Sequence, residues 1–442
     1  MGLKAKLTAF VRQALRGRFL LLAVLICLSL MSAPAANAQT ALIVRVQGGL
    51  PVIQSLCGLL GCSVEYGLGD PQGQVFLIQT PLWLPLNLLV NLPGILDVEL
   101  DVQGRIMDAV TQGAVPSALY DSTPVSYYGA TVREGYLLQP ATQIINLFQA
   151  QNTYHASGAG IVAVIDTGVD TTHPVLQGVL LPGYDFTRNR NGADEKGDVT
   201  QSTTAVVDQS TTAVVDQSTT AVVDQTTGYN LDQPQYADFG HGTMVSGVVH
   251  LVAPTAKILP IKAFHADGTG QLSDVIRSIY YAVRNGANVM NMSFNFVSPS
   301  RELNLALTYA NVNGVVSASA AGNSGQQTLV YPAAWQSLVM GVASTSNNDV
   351  LSTFSNYGPK LVWVAAPGEG VITLYPFGTY AATWGTSFST PMVAGTAALL
   401  LRPYAIFNEY QAAEDIAHAK WINSNLGNGR LDVYQALEAA KQ

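Results

Sequence analysis

The pattern of apolar and polar positions divides the chain into two parts with different periods. Between residue 41 and about residue 107, short runs follow the order strand, helix, strand, strand, helix, strand. This order predicts a small ferredoxin-like α+β unit that is complete in itself. From residue 108 onward the periodicity is lost and Gly, Pro, Ser, Thr and Tyr become frequent, which predicts a linker over residues 111–138.

Beyond the linker, continuous β-branched runs alternate with longer segments of helical period. The runs that predict strands are 161–165, 257–261, 287–292, 314–319 and 338–342. The segments that predict helices are 241–251, 272–284, 301–312, 387–401, 409–419 and 431–440. Strands that are apolar on both faces and separated by helices indicate an α/β fold, a parallel sheet with helices on each side. In such a sheet, functional side chains collect at the carboxyl ends of the strands.

Residues 201–224 fit neither period, because they are the octapeptide Gln-Ser-Thr-Thr-Ala-Val-Val-Asp repeated three times without error. A calcium-binding ladder would use Asp208, Asp216 and Asp224, but the Gly-rich turns of such repeats are absent. We therefore expect a tolerated insertion in an exposed loop.

The N-terminus has the composition of an export signal. Five basic residues precede the apolar run 19–31, and the small-residue site Ala36-Asn37-Ala38 follows it. This predicts a secretory signal peptide over residues 1–38 and a secreted protein, extracellular or periplasmic, because the run is too short for a membrane anchor. Its removal changes the net charge from -8 to -13, which argues against nucleic-acid binding.

Cysteine usage limits the chemistry of the exported part. Only Cys57 and Cys62 follow the signal, and their spacing of five leaves open whether they pair. The remaining 380 residues contain no cysteine, so they use neither a thiol nor a cysteine-ligated metal.

Three short motifs fall at the ends of predicted elements. Asp166 follows a buried strand in Val164-Ile165-Asp166-Thr167-Gly168, where a carboxylate would orient an imidazole or begin a turn. His241 opens a helix among small residues in Gly240-His241-Gly242-Thr243, as a general base or a capping residue. Asn323 ends a strand in Ala320-Ala321-Gly322-Asn323, where its amide would donate to an oxyanion or occupy a left-handed turn.

A fourth motif is Gly385-Thr386-Ser387-Phe388-Ser389-Thr390-Pro391, which precedes a run of small residues. Because proline is tolerated in the opening turn of a helix, the motif predicts a loop that delivers Ser387 to the first turn of a buried helix. Unpaired N–H groups there would stabilise negative charge, which suits a nucleophile, although an N-cap serine fits the same pattern.

Taken in this order, the four motifs Asp-Thr-Gly, His-Gly-Thr, Ala-Ala-Gly-Asn and Gly-Thr-Ser-x-Ser-x-Pro resemble those of the subtilisin-like serine proteases, the subtilases of peptidase family S8. The stretches 253–258, 291–293 and 428–432 also match this family. The resemblance covers about residues 139–437, and the first unit resembles the family's inhibitory propeptide. It implies a propeptide over 39–110, a maturation site in the linker and a subtilisin-like peptidase domain over 139–442.

The resemblance also implies a role for each residue of the site. Ser387 would be the nucleophile, His241 the general base and Asp166 the residue that orients it, while Asn323 would bind the oxyanion. The substrate would lie beside Ser293, Phe294, Asn295, Ser319, Ala320, Ala321 and Gly322. Two positions depart from the family pattern, because Asn295 replaces a common pocket glycine and Met244 replaces a frequent histidine.

These features predict a secreted, self-activating serine endopeptidase that acts through an acyl-enzyme. The resemblance implies protein or peptide substrates, the propeptide as intramolecular inhibitor, a monomer, and chemistry that needs no cofactor or metal. It leaves room for a structural calcium ion that the sequence does not locate. The alternative is a catalytically silent subtilase-fold binding protein, which usually lacks a residue of the triad or oxyanion site. An α/β-hydrolase esterase is excluded by the triad order and by Ser389, which replaces the second glycine of the nucleophile elbow.

Overall fold

The computed structural model describes residues 39–81, 86–106, 113–199, 214–217, 220–223, 231, 234–401 and 408–441. The predicted signal peptide and the stretch 107–112 lie outside the described residues. In the ranges that are described, no helix is both long enough and apolar enough to cross a membrane.

The N-terminal unit is a four-stranded antiparallel sheet with two helices. Its elements are β1 Gln39–Val46, α1 Leu50–Leu60, β2 Ser63–Gly67, β3 Val75–Pro81, α2 Leu86–Val90 and β4 Ile95–Leu100, in the sheet order β2-β3-β1-β4. Leu42 and Val44 of β1 pack with α1, whereas Ile43 points to the opposite face and joins the core of the larger domain. The order of elements confirms the predicted ferredoxin-like unit.

Cys57 and Cys62 form a disulfide, with their Cα atoms 4.5 Å apart. Cys57 lies in the last turn of α1, and Gly61 ends that helix in the left-handed conformation with φ of 73°. Because this turn folds the chain back, Cys62 comes beside Cys57, although a straight helix would not bring residues five apart together.

The larger domain is built on an eight-stranded sheet in the order β10-β9-β13-β8-β15-β17-β18-β19, which is parallel except for β10. Its strands are β8 Ile161–Asp166, β9 Tyr184–Asp185, β10 Arg190–Asn191, β13 Lys257–Lys262, β15 Val289–Met292, β17 Val316–Ala320, β18 Met340–Thr345 and β19 Val364–Pro367. All five strands predicted for this part are present. The short β9 and β10 and the strand β19 were not predicted.

Helices cover both faces of this sheet. They are α3 Glu134–Leu137, α4 Pro140–Ile144, α5 Leu147–Tyr154, α6 His241–Val252, α7 Leu272–Arg284, α8 Arg301–Val312, α9 Thr386–Leu400, α10 Glu409–Ile416 and α11 Val433–Ala439. Alternate residues of β8 separate the two layers: Val162 and Val164 pack on the side of α6 and α9, and Ala163 and Ile165 on the side of α7 and α8. The α/β architecture with helices on both faces is therefore confirmed.

The segment predicted as a linker is folded onto the larger domain. Residues 113–138 contain a short 3₁₀ helix Ser117–Tyr120, a hairpin of β6 Pro124–Tyr127 and β7 Ala130–Arg133, and α3. The hydroxyl of Tyr127 donates to Leu251 O at 2.7 Å and that of Tyr136 to Gly247 O at 2.6 Å, both on α6. The linker interpretation is wrong for these residues, because two buried tyrosines anchor them in the main core.

Part of the octapeptide insertion is also in a sheet. The strands β11 Val214–Gln217 and β12 Thr220–Val223 form an antiparallel pair, and β12 pairs with β21 Thr379–Trp384, which in turn pairs with β20 Glu369–Tyr375. The insertion expected in an exposed loop is therefore partly structured, because these eight residues form two strands. The rest of the three repeats lies outside the described residues.

Candidate active site

Asp166 and His241 form a buried hydrogen-bonded pair. Asp166 ends β8, His241 begins α6, and their exposed fractions are 1% and 4%. The distance between His241 Nδ1 and Asp166 Oδ1 is 2.8 Å, and Thr167 N donates to the same oxygen at 2.7 Å. The carboxylate therefore fixes which ring nitrogen of His241 carries a proton.

Glycines allow the strand and the helix to approach closely enough for this pair. A Cβ atom at Gly242 would lie 1.9 Å from Gly168 O, and Gly240 precedes the helix with φ of 87°. Any side chain at Gly242 would push α6 away from the end of β8 and lengthen the bond between His241 and Asp166.

The surroundings of His241 favour its protonated form. Burial by itself lowers the pKa of an imidazole, but attraction to Asp166 and the hydrogen bond to it outweigh this effect and raise the pKa of His241 above its ordinary value. A histidine held in this way is a stronger base toward a nearby hydroxyl.

Ser387 is the second residue of α9 and is 1% exposed. The rings of His241 and Phe388, the next residue after Ser387, lie 5.4 Å apart between centroids, so the helix start adjoins the imidazole. Ser387 Oγ and His241 Nε2 are both buried, and neither has a hydrogen-bond partner among the described residues. No hydrogen bond therefore joins Ser387 Oγ to His241 Nε2 in this structure.

Asn323 lies beside the same helix start. Its Oδ1 accepts hydrogen bonds from Thr386 N at 3.0 Å and from Thr386 Oγ1 at 2.9 Å, which directs Nδ2 away from Thr386. Gly385 precedes Thr386 with φ of 143°, and a Cβ atom there would lie 3.1 Å from Asn323 Nδ2. The amide is thus oriented by the residue next to Ser387.

The predicted substrate-binding residues border a cleft between two short strands, β14 Thr269–Gln271 and β16 Phe294–Asn295. Ser293 reaches the main chain of Ser387 through its hydroxyl, and Gly322 N donates to Thr386 Oγ1 at 3.2 Å. Ser319, Ala320 and Ala321 are buried at the end of β17. These residues of the cleft therefore contact the start of α9 at Thr386 and Ser387.

A strand from the N-terminal part of the chain occupies this cleft. The strand β5 Gln103–Ile106 pairs antiparallel with β14 on one side and with β16 on the other. Arg105 lies opposite both Thr269 and Asn295, and Ile106 lies opposite Phe294. The chain thus approaches Ser387 as an added strand, in the manner of a peptide bound to a sheet edge.

Two contributors to the site have no clear signal in the sequence. Thr386 orients Asn323, although its place in the motif indicates only a loop residue before Ser387. Glu195 lies in a polar run far from every motif and contacts residues next to Asp166 and His241. Only the threonines of the Asp-Thr-Gly and His-Gly-Thr motifs, which bind it, would have hinted at such a partner.

A metal site is not evident in the part of the chain that the structure describes. No group of three or more His, Cys, Asp or Glu side chains is arranged there to hold an ion. The calcium ion that the resemblance left open is therefore not located by these residues.

Comparison with known proteins relates this geometry to a family. A family model described as the subtilase family matches residues 158–434. Thermitase from Thermoactinomyces vulgaris is 33% identical over 312 residues, which cover 68% of this chain and 96% of thermitase. A thermophilic serine proteinase from Bacillus sp. (strain AK1) is 32% identical over 306 residues, which cover 69% of this chain and 66% of that protein.

A solved structure supports the fold. Fervidolysin from Fervidobacterium pennivorans, a keratinolytic enzyme related to subtilisin, matches with a TM-score of 0.67 and 22% identity. The match covers 92% of this chain and 62% of the fervidolysin chain. Because the family model spans more than half of the chain and thermitase matches over nearly its full length, this chain belongs to the subtilase family and is a serine-type endopeptidase.

Proposed function

We propose that this protein is an exported endopeptidase that cleaves proteins or peptides through Asp166, His241 and Ser387. The observation that carries the proposal is the hydrogen bond between Asp166 and His241 beside a buried helix start that holds Ser387. Export rests on the predicted signal peptide, residues 1–38. A monomer and a reaction without cofactor are further parts of the proposal.

The chemistry follows from the positions of these groups. Ser387 Oγ attacks the scissile carbonyl while His241 Nε2 takes its proton, because Nδ1 is committed to Asp166. The oxyanion is bound by Asn323 Nδ2 and by the main-chain N–H of Ser387, which lies in the first turn of α9. His241 then protonates the leaving amine, and water releases the acyl group from Ser387 by the reverse steps.

The proposal includes self-activation, with residues 39–110 as an inhibitory propeptide. Support comes from β5, which fills the cleft between β14 and β16. Ile106 pairs with Phe294, and the neighbouring Ser293 contacts Ser387. We infer that the bond first cut lies within residues 107–112, which span the boundary between the predicted propeptide, residues 39–110, and the predicted maturation segment, residues 111–138.

Charged contacts of the N-terminal unit also support this role. Asp101 accepts bonds from Ser273 N and Ser273 Oγ, both at 2.8 Å, in the first turn of α7. Glu99 accepts from Ser300 Oγ at 2.7 Å, where α8 begins. Carboxylates at two helix N-termini satisfy unpaired N–H groups and interact favourably with the helix dipoles.

A partly buried ion pair adds orientation to this docking. The guanidinium of Arg45 on β1 binds both carboxylate oxygens of Glu302 on α8, at 2.8 and 2.6 Å. Such two-point pairing fixes the angle between the sheet of the N-terminal unit and the larger domain. Removing one partner would leave the other charge buried, which weakens binding more than the loss of one contact.

The catalytic proposal is tested with Ser387→Ala and with a fluorophosphonate probe that labels activated serines. We expect the wild-type protein to be labelled and cut within 107–112, and Ser387→Ala to stay uncut and unlabelled. Ser246→Ala, a change of another buried serine, serves as the matched control. Processing and labelling that persist in Ser387→Ala would overturn the mechanism, whereas an unlabelled wild type would favour the silent binding protein.

The propeptide proposal is tested by adding residues 39–106 as a separate peptide to the processed enzyme. We expect competitive inhibition that weakens at least tenfold in Asp101→Ala, since two hydrogen bonds to a charged group are lost. A fully active enzyme that still carries residues 39–106 covalently attached would contradict this part of the proposal.

A further inference from the structure

Glu195 is a buried carboxylate that the mechanism above does not use. It begins a 3₁₀ helix Glu195–Asp198 and is fully buried. Its Oε2 accepts hydrogen bonds from Thr167 Oγ1 at 2.9 Å and from Gly240 N at 3.1 Å. Its Oε1 accepts a hydrogen bond from Thr243 Oγ1.

The three donors flank the two residues of the buried pair. Thr167 directly follows Asp166, Gly240 directly precedes His241, and Thr243 follows in the first turn of α6. One side chain therefore binds both the end of β8 and the start of α6, two elements that are distant in sequence. The relative position of these elements determines the distance between His241 Nδ1 and Asp166 Oδ1.

The directions of the hydrogen bonds indicate the charge state of Glu195. Thr167 Oγ1 accepts from Gly242 N at 2.9 Å, and Thr243 Oγ1 accepts from Asp170 N at 2.6 Å. Each hydroxyl thus uses its own hydrogen for Glu195. A carboxyl group that receives three donors on its two oxygens matches the ionised form, which only accepts.

Burial opposes this charge. It raises the pKa of Glu195 to about 7, although the hydroxyls of Thr243 and Thr167 and the charge of Lys262 act in the opposite direction. The titratable groups around it and around His241 are Lys262 on β13, Asp166 on β8 and Asp238 before α6. The network is therefore complete only above the pH at which this carboxyl loses its proton.

We propose that Glu195 is a positioning residue of the catalytic site: its carboxylate holds His241 against Asp166, and its negative charge strengthens His241 as a base. The inference rests on the proposed function, in which His241 is the general base. Protonation of Glu195 would require one of the three hydrogen bonds to reverse, so this group contributes to the loss of turnover on the acid side.

The first test compares Glu195→Gln with the parent enzyme over a range of pH. The amide keeps the size of the side chain, but it carries no charge and cannot accept from all three donors. We expect kcat to fall roughly ten- to a hundredfold, the scale of a misplaced reacting group, with KM within about twofold. The acid limb of the profile should move to lower pH, because the negative charge near His241 is gone.

A matched control separates positioning from general stability. Glu409→Gln changes another buried carboxyl, which contacts Ser317 away from Asp166 and His241, and it should leave the acid limb in place. Unchanged kcat and an unchanged acid limb in Glu195→Gln would overturn the inference. If the parent enzyme is labelled by the fluorophosphonate probe in that case, the proposed function stands and only this inference fails.

The second test needs no processing and therefore remains decisive if Glu195→Gln does not mature. The full uncut chain carrying Ser387→Ala is compared with the same chain carrying also Glu195→Gln, and the Nδ1 proton of His241 is followed by NMR. We expect its low-field resonance to shift or broaden and the imidazole to titrate at lower pH in the double variant. An identical resonance and titration in both chains would contradict the proposal.

Discussion

The hydroxyl of Ser293 donates a 2.9 Å hydrogen bond to the main-chain carbonyl of Ser387. Pro391 lies four residues after Ser387 within α9 and has no N–H, so the usual helical donor to this carbonyl is missing. Asn291 Nδ2 in turn donates to Ser293 Oγ at 3.0 Å. A side chain that follows β15 thus supplies the hydrogen bond that the helix lacks at the nucleophile.

Ser293→Ala should therefore affect both stability and turnover. The Ser387 carbonyl would be left buried without its donor, which costs about 1–3 kcal/mol of unfolding free energy. We also expect kcat to fall several-fold, because the first turn of α9 is no longer held. Thermal unfolding and peptide hydrolysis measure the two effects. Ser246→Ala is the control, since its buried hydroxyl has no partner among the described residues. Equal effects of the two changes would refute the argument.

Asn323 offers a test that separates orientation from oxyanion binding. Asn323→Asp keeps an acceptor for Thr386 N but removes the donor Nδ2, whereas Asn323→Ala removes both. Each variant should lose about 10² to 10³ in kcat, the effect of one oxyanion donor. Only Asn323→Ala should also lower the melting temperature. Full turnover in Asn323→Asp would show that the amide does not bind the oxyanion.

The cleft predicts a preference for glycine at one substrate position. Gly104 of β5 lies opposite Gly270, and a Cβ atom on Gly104 would lie 2.6 Å from Cε1 of Phe296. The ring of Phe296 is itself buried and packs edge-on against Phe294, which limits its movement. A peptide bound like β5 should therefore carry glycine two residues before the one that pairs with Phe294.

A peptide library with all residues at that position measures this preference. We expect glycine to be favoured by roughly tenfold or more over larger residues, a discrimination typical of a filled apolar pocket. Phe296→Ala should broaden the preference toward apolar side chains. Val297→Ala, at a neighbouring exposed position, should leave it unchanged. A wild-type enzyme that accepts leucine there as well as glycine would disprove the subsite.

The buried Glu409 predicts a dependence of stability on pH. Glu409 begins α10, its Oε2 accepts from Ser317 N at 2.6 Å, and burial raises the pKa of its carboxyl to about 8. A raised pKa means that the folded state favours the neutral acid. The contribution to stability is therefore complete below the ordinary pKa near 4.5 and is lost as the pH rises toward 8.

Glu409→Gln removes this titration, because the amide stays neutral. In the Ser387→Ala background, which prevents self-digestion, the variant should unfold at a temperature several degrees above the parent at pH 9, since each unit of pKa shift is about 1.4 kcal/mol. At pH 4.5 the two should be nearly equal. Glu414→Gln, an exposed position on the same helix, is the control. A difference that does not grow with pH would contradict this account.

The pattern of residues along the chain predicted the elements and motifs whose structure depends on neighbours in sequence. The alternation of apolar runs with helical segments was enough to predict the parallel sheet, and the four motifs selected residues that the structure brings together around Ser387. The pattern failed where a contact is made between distant segments. Tyr127 and Tyr136 occur in a polar, aperiodic segment, and only their hydrogen bonds to α6 make that segment part of the core.

Two further features that the sequence did not determine have the same origin. The pairing of Cys57 with Cys62 depends on the left-handed turn at Gly61, which a helical spacing rule does not include. Glu195 has no motif of its own, and it becomes part of the site only because the turn after β10 brings it to Thr167. Long-range polar contacts of this kind are specified by the fold as a whole.

The octapeptide repeats permit a test of whether their number or their presence matters. Deleting residues 201–208 removes one copy, and because the copies are identical, the sequences of β11 and β12 are unchanged. The remaining residues can therefore pair with β21 in the same register, and the connection from the 3₁₀ helix Glu195–Asp198 to β11 is shortened by about half. Shortening such a connection changes the closure free energy by no more than about 0.6 kcal/mol. We expect the melting temperature and peptide turnover to stay close to those of the parent.

Deleting all of residues 201–224 removes β12 and leaves the backbone of β21 without its neighbour on that side. The buried side chains of β21 and its pairing with β20 remain, so we expect folding to persist with a melting temperature lower by several degrees. Turnover of a short peptide should stay within a few-fold, because Asp166 and His241 are held by β8 and α6. A melting-temperature loss that is equal for the one-copy and the three-copy deletions would show that the pairing with β21 does not stabilise the protein. Loss of peptide hydrolysis in the folded three-copy deletion would show instead that the repeats support the segment leading to Ser387.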